Sequence, residues 1–346
     1  MISVIIPVYN SEKWLPATLN SLSSQSFKDW ELIAVDDGSS DRSGNILQDF
    51  KELCEKTDTD AIRRKVRIFT TPNLGVAAAR NLALSKAEGQ FVAFLDSDDI
   101  LPDYALEYLL DLCLANNADI ATGPTISFND NPPSLERALR KCGKALKKSE
   151  AKKVRIISGA EAVEESLYQR TNLNSSLWAK VFRRSILKYM EMIPGEIYED
   201  LDYFYRVAFN AGRVVIGELP VYLYRQREGS IIHSFSPRRL DVLKVTERMT
   251  SLISKAAPAL LPAAIDRRFS ANFNMLRLIS KHECDRSFNE EDRDLFQVKK
   301  EEIHNYLKSH SLEEIKNDKS RLKNRLGALL YLLLPSSLLT FLLKKL

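Results

Sequence analysis

Residues 30–39 read Trp30-Glu31-Leu32-Ile33-Ala34-Val35-Asp36-Asp37-Gly38-Ser39. A short apolar run cut off by an Asp-Gly turn is the pattern of a strand buried on both faces of a sheet. The Asp-Gly-Ser that ends it is turn and cap chemistry leading into a helix. The same grammar recurs on either side. Apolar runs at 3–8, 66–70, 91–95 and 119–122 alternate with helical spacing at 12–24, 41–55, 76–86 and 103–116. Strand–helix alternation with short connections predicts a mostly parallel sheet covered by helices on both faces, an α/β fold.

In such sheets ligands bind at the carboxyl ends of the strands. The polar clusters fall at those ends: Tyr9-Asn10, Asp36-Asp37, Asn73 and Asp96-Ser97-Asp98-Asp99. This edge is therefore the expected binding site.

At 346 residues the chain has room for two domains, and 45% hydrophobic with 28% charged residues is an ordinary globular composition. A net charge of +4 does not suggest a nucleic-acid partner. Cys54, Cys113, Cys142 and Cys284 form no CxxC pair, which fits a reducing compartment. His233, His282, His304 and His310 form no HExxH pattern. Met1-Ile2-Ser3 runs straight into Val4-Ile5-Ile6 without the basic region of a signal peptide, so the first residues are expected to belong to the fold. Residues 130–157 are polar and lysine-rich and are expected to form an insertion or mobile loop. Mixed α/β patterning returns over 159–226, and after Pro237 the sequence reads as helical.

Three segments carry chemistry. Three carboxylates within Asp96-Ser97-Asp98-Asp99 repel one another unless a cation sits between them; magnesium or manganese suits such hard oxygen donors, and a helix cap is the alternative. Asp36-Asp37 can accept hydrogen bonds from a base or ribose, or can simply make the turn. Glu199-Asp200, ahead of the aromatic run Leu201–Tyr205, supplies either a helix-start charge or a general base. No GxxxxGK[ST] and no GxGxxG turn occurs in the first half, which argues against a P-loop kinase and a Rossmann dehydrogenase.

Five motifs in order, Val4-Ile5-Ile6-Pro7-Val8-Tyr9-Asn10, Val35–Ser39, Asn73-Leu74-Gly75 with Ala79-Arg80-Asn81, Phe94–Asp99 and Glu199-Asp200, resemble a family 2 glycosyltransferase over residues 1–232. Leu177-Trp178-Ala179-Lys180 and the stretch from Tyr224-Arg225-Gln226-Arg227 to Ser230 add to the resemblance. It implies the GT-A fold and inverting transfer from a nucleotide-sugar, usually a uridine nucleotide, to a hydroxyl acceptor in cell-surface polysaccharide or glycan synthesis. Residue by residue it implies that Pro7, Tyr9, Asp36 and Asp37 hold the nucleoside, with Asn73, Gly75 and Arg80 on the donor side. Asp98 would hold Mn2+ or Mg2+ directly, with Asp96 near the ribose or a metal-bound water, and Asp200 beside Glu199 would be the catalytic base. Arg227 would steady the leaving diphosphate, with Arg225 and Ser230 nearby, and Trp178 and Lys180 would face the acceptor. The Gln-xx-Arg-Trp segment of longer processive synthases is absent, so one sugar per acceptor is expected.

The implied division is a GT-A domain over 1–232, with a nucleotide-binding half 1–125 and an acceptor-side half 159–232, followed by a helical region 237–346. That region ends in an apolar segment, 326–346. Residues 326–343 carry no formal charge and would span ~27 Å as one helix at ~1.5 Å per residue, but Pro335 interrupts them. Lys319, Arg321, Lys323 and Arg325 precede the run, and Lys344-Lys345 follow it. The expectation is peripheral anchoring on the inner, cytoplasmic face of a membrane, with a lipid-linked saccharide among the acceptors; a packed helix or a true span is the alternative. Two other readings stand beside the enzyme: a nucleotide-sugar pyrophosphorylase, whose usual glycine-rich N-terminal loop is missing at 7–13, and a nucleotide-sugar- or membrane-binding protein without catalysis.

Overall fold

The computed structural model describes residues 1–57, 65–148, 153–169, 171, 173–227, 235–282, 285, 287–334 and 339. Two compact units emerge. The first comprises Met1–Val163 and Ser175–Glu228, the second Glu164–Asn174 and Gly229–Leu346. The eleven residues Glu164–Asn174, placed with the first domain by sequence, thus belong to the helical unit.

The first unit opens with β1 (Ile2–Val8), α1 (Leu15–Ser23), β2 (Trp30–Asp36), α2 (Ser43–Thr57), β3 (Lys65–Thr70), α3 (Val76–Lys86) and β4 (Phe91–Phe94). Next come α4 (Ala105–Ala115), β5 (Ile120–Thr122), β6 (Thr125–Asn129), α5 (Pro132–Lys148), β7 (Arg155–Ile157) and α6 (Gly159–Tyr168), which crosses into the second unit. The last elements are β8 (Lys180–Arg183), α7 (Arg184–Leu187), α8 (Glu199–Phe209), β9 (Val214–Ile216) and β10 (Tyr222–Gln226). Eight strands form one sheet in the order β3-β2-β1-β4-β8-β5-β9-β7, while β10 and β6 pair separately.

β1, β2, β3 and β4 are mutually parallel, and every residue of β2 is buried. This explains the unbroken apolar runs, because helices cover both faces. Glu31, buried near the start of β2, is satisfied by Ser3 Oγ (2.6 Å), Arg67 and the Glu88 and Gly89 amides. β8 departs from the parallel pattern. It runs antiparallel between β4 and β5, so the residues preceding it arrive at the carboxyl edge of the parallel strands, where Trp178 bridges to Phe94.

The expected loop at 130–157 is largely the helix α5. Ala138 and Cys142, four residues apart, are buried with Phe128, Ile100 and Leu223, and Leu135 packs against them. Lys141, Lys144 and Lys147 are exposed, and the abundance of lysine hid an amphipathic helix whose buried stripe is only three residues wide.

The second unit contains α9 (Asp241–Ala256), α10 (Leu261–His282), α11 (Glu290–Lys316) and α12 (Leu322–Leu333). Gly327 lets α12 approach closely: a Cβ there would meet the Phe273 ring at 3.2 Å. No helix among the described residues is long and apolar enough to cross a membrane. Of the expected apolar tail, 326–334 and Leu339 are described, and Pro335 with the remainder lies outside the described residues.

Candidate active site

The carboxyl edge is assembled from loops that clip one another. Asn10, left-handed at φ 46°, accepts from the Ser40 amide (2.9 Å), and its own amide donates to Ser39 Oγ. The Ser11 amide donates to Ser43 Oγ (2.8 Å), the Glu12 amide to Asp41, and the Arg42 amide to Glu12. The β1 and β2 loops thus cap each other, and Pro7 and the half-exposed Tyr9 stand at the mouth of β1.

Asp37 is buried and committed to the β3–α3 loop. It accepts from Thr71 Oγ1 (2.7 Å), the Leu74 amide (2.7 Å) and the Gly75 amide (2.6 Å). That carboxylate holds Asn73 and Gly75 in left-handed conformations, φ 52° and 91°, so the glycine serves backbone freedom here. Asp36 makes the turn, accepting from the Ser39 amide at 3.0 Å. A nucleoside contact by Asp37 would have to share an already satisfied carboxylate.

The acidic segment after β4 is held from beneath. Thr18 Oγ1 donates to Asp99 O (2.8 Å), and Ser11 Oγ meets Ser97 Oγ at 2.7 Å. Its three carboxylates have three fates. Asp99 is fully buried and accepts from the Arg225 amide (2.7 Å); burial, then Asp96 and Asp98, push its carboxyl up to about 8. It is a structural acid, neutral near pH 7. Asp98 accepts from Arg227 Nε at 2.6 Å; burial and Asp96 raise its proton affinity, and Arg227 opposes them. Asp96 accepts from Arg80 at 2.8 Å. Two arginines and one proton therefore relieve the repulsion expected from sequence.

Could this pair hold a divalent cation? No group of three or more His, Cys, Asp or Glu side chains among the described residues is arranged around a metal position. Asp96 and Asp98 each commit one oxygen to an arginine among the described bonds. Two carboxylates completed by water and substrate phosphates are the donor set magnesium uses at phosphate-transfer sites, so the residues fit.

Arg80, buried on α3, reaches across the edge with its other nitrogen on Glu199 at 2.6 Å. Glu199 and Asp200 open α8, where Tyr198 is left-handed at φ 69°. Burial, then the Glu199 charge, push the Asp200 carboxyl up to about 7, with Arg80 pulling the other way. Lys180 is buried beneath, its ammonium donating to Ser176 O (2.7 Å) and lying 5.1 Å from the Phe204 ring centroid. Burial lowers it to about 7, opposed by Asp200. Trp178 stacks on Tyr222 (4.9 Å) and Tyr224 (5.3 Å), paving the floor beside Asp96, whose amide donates to the Tyr222 hydroxyl.

Arg227 also lies 4.5 Å from the Trp14 ring centroid. Asp130 gathers Lys13 (2.6 Å), Trp14 Nε1 (3.0 Å) and Arg225 (2.9 Å), which hold its carboxyl down at about 2 despite some burial. Thr18, Trp14, Asp130 and Tyr222 had no sequence signal: each is ordinary in its own segment and joins the site only through contacts more than 75 residues away in sequence. Ser230 lies outside the described residues.

With this geometry the comparisons have a clear meaning. Residues 3–174 match the profile of glycosyl transferase family 2. The chain carries a family 2 glycosyltransferase domain. It is 29% identical over 263 residues to glycosyltransferase GlyA of Streptococcus pneumoniae, covering 74% of this chain and 35% of that one. It is 35% identical over 131 residues to WfgD of Escherichia coli, a UDP-Glc:alpha-D-GlcNAc-diphosphoundecaprenol beta-1,3-glucosyltransferase, covering 38% of this chain and 48% of that one. The chain thus spans about a third of the first relative and under half of the second. In structure it is similar to residues 1–349 of Staphylococcus aureus TarS, crystallised with UDP-GlcNAc. The TM-score is 0.66 at 21% identity, over 94% of this chain and 90% of that one, and the shared fold is GT-A.

Proposed function

We propose that this glycosyltransferase moves a sugar from a nucleoside diphosphate donor, UDP-linked in our reading, to a hydroxyl of a saccharide or lipid-linked saccharide in cell-surface polysaccharide synthesis. Transfer inverts the anomeric centre, uses Mg2+ or Mn2+, and takes place at the inner face of a membrane. The observation that carries this reading is Asp200. It is a carboxyl poised near neutrality and tied through Arg80 to the Asp96–Asp98 edge. The UDP-GlcNAc held by TarS and the lipid diphosphate acceptor in the name of WfgD support the substrate classes.

In this mechanism Asp200 accepts the proton of the acceptor hydroxyl as its oxygen bonds to the anomeric carbon. The bond from that carbon to the diphosphate breaks on the opposite side, and its electron pair leaves with the nucleoside diphosphate. Burial and then the Glu199 charge keep the Asp200 proton affinity high enough for that task, while Arg80 holds Glu199 in position and tempers the shift. Arg227 exchanges Asp98 for the departing diphosphate, steered by its place over Trp14. Asp96 and Asp98 would hold the divalent cation, which neutralises diphosphate charge. The half-buried Trp178 and Tyr224, backed by the fully buried Tyr222, offer aromatic surface for a sugar ring.

The test is nucleotide release and product formation across a panel of UDP- and GDP-sugars with Mn2+ or Mg2+. Asp200→Asn is expected to bind donor but lose transfer by at least about a thousandfold, and Asp98→Ala to lose metal-dependent donor binding. Product of retained configuration, or undiminished turnover in Asp200→Asn, overturns the roles.

A further inference from the structure

α12 is built inside out. Its inward face is small or polar: Asn324, Gly327, Ala328 and Tyr331 are buried, with Asn324 donating to Asp266 (2.8 Å) and Tyr331 bonded to His304. Its large side chains point away. Leu322, Leu326, Leu329, Leu330, Leu332 and Leu333 are 41–69% exposed. At ~100° per residue these six fall within an arc of about 160°, one continuous stripe along the helix. Lys323 lies just beyond one edge of the stripe and Arg325 just inside the other, and α12 contains no acidic residue.

We infer that this leucine stripe is a docking face for an anionic lipid surface, with α12 lying in the plane of the membrane. The argument rests on the membrane-side part of the proposed function and not on catalysis. An amphipathic helix settles at the headgroup–acyl boundary when its apolar face meets the chains and its flanking cations snorkel to the phosphates. Lys323 is exposed for that near one edge, and near the other the half-buried Arg325 donates its Nε to Ile315 O and keeps its terminal nitrogens for a phosphate. A second copy of the same helix brings no carboxylate to either cation, whereas phosphate headgroups supply the missing charge. The face also begins four residues before the apolar run read from sequence, at Leu322, and is complete by Leu333, ahead of Pro335. The helix has twelve residues, which suits lying on a bilayer rather than crossing it.

The experiment is flotation of the full chain, without donor, on vesicles of phosphatidylcholine with and without phosphatidylglycerol, at low and high salt. The expected result is binding that requires phosphatidylglycerol and weakens with salt. The triple variant Leu326→Gln/Leu330→Gln/Leu333→Gln is expected to bind about tenfold or more weakly, with an unchanged melting temperature because these side chains are exposed. Lys323→Gln is expected to weaken binding to phosphatidylglycerol vesicles only. Equal binding to neutral vesicles, undiminished binding by the triple variant, or no vesicle binding overturns the inference; so does sedimentation as a dimer that the triple variant abolishes. Donor turnover measured without vesicles fails or succeeds separately, so loss of one reading is not mistaken for loss of the other.

Discussion

Arg80 of α3 bonds Glu199 of α8 at 2.6 Å across 119 residues of sequence, while its second terminal nitrogen holds Asp96 at 2.8 Å. One buried guanidinium therefore neutralises two acids on opposite sides of the site and lowers the proton affinity of a third, Asp200. Burial works against its charge, but the three carboxylates outweigh it and raise its own proton affinity.

Replacing it tests that arrangement. In Arg80→Met, Asp200 loses its compensating charge and titrates above its present value of about 7. The base is active only when deprotonated, so the acidic limb of the kcat profile shifts to higher pH. Turnover at neutral pH falls by about a hundredfold. Arg80→Lys restores little, because one ammonium cannot fork to two acids. A pH–rate series on the three proteins decides it.

Arg227→Ala separates metal binding from leaving-group stabilisation. The substitution frees the Asp98 carboxylate, so Mn2+ affinity measured by calorimetry is expected to hold or rise. Turnover is expected to fall about a hundredfold as the diphosphate loses its guanidinium. Parallel losses of metal affinity and turnover would contradict the assignment.

Asp37→Ala removes the acceptor of three loop hydrogen bonds. The expected cost is about 2–4 kcal/mol, since two backbone amides lose their partner in a half-buried loop. Hydrogen exchange at Leu74 and Gly75 is expected to accelerate ahead of the rest of the sheet, and donor affinity to fall with it.

The helical unit should prefer acid. Asp266 and Glu314 are fully buried, joined to each other and to Ser320, with Asn324 on Asp266. Each carries an oxygen, Asp266 Oδ2 and Glu314 Oε2, that no donor among the described residues reaches, so one shared proton satisfies both. Burial, then Asp266, raises Glu314 to about 8, and Arg321 opposes this. A carboxyl raised on folding contributes stability that is complete below its unfolded value of 4.5 and lost as pH rises toward 8. The melting temperature of this unit is expected to decline over that window. Glu314→Gln, which keeps a donor for Asp266, is expected to flatten the decline and raise the midpoint at pH 8 by roughly 2–8 °C. Calorimetry across pH checks it.

Some of the site was legible because its residues sit at strand ends, where chain direction alone puts them on one edge. Tyr9, Asp36, Asn73 and Asp96 needed only the alternation of strands and helices. The partners of those residues were not legible. Nothing around Arg80 says that it reaches Glu199, and nothing in Asp96-Ser97-Asp98-Asp99 distinguishes the buried, protonated Asp99 from the arginine-bound Asp96 and Asp98. The lysine-rich stretch concealed α5, because a buried stripe of three residues is a weak periodic signal.

The sequence by itself determined the α/β class, the succession of strands and helices up to residue 122, the edge that carries the polar residues and the helical character after Pro237, because hydrophobic periodicity and turn residues are local properties. Tertiary structure alone decided that β8 enters antiparallel and delivers Trp178 and Lys180 to the edge. It decided that Asp37 holds a loop, that arginines answer the acidic segment, and that the leucines of α12 face outward. These depend on which surfaces meet across long chain separations, and burial and charge pairing act only once they have met.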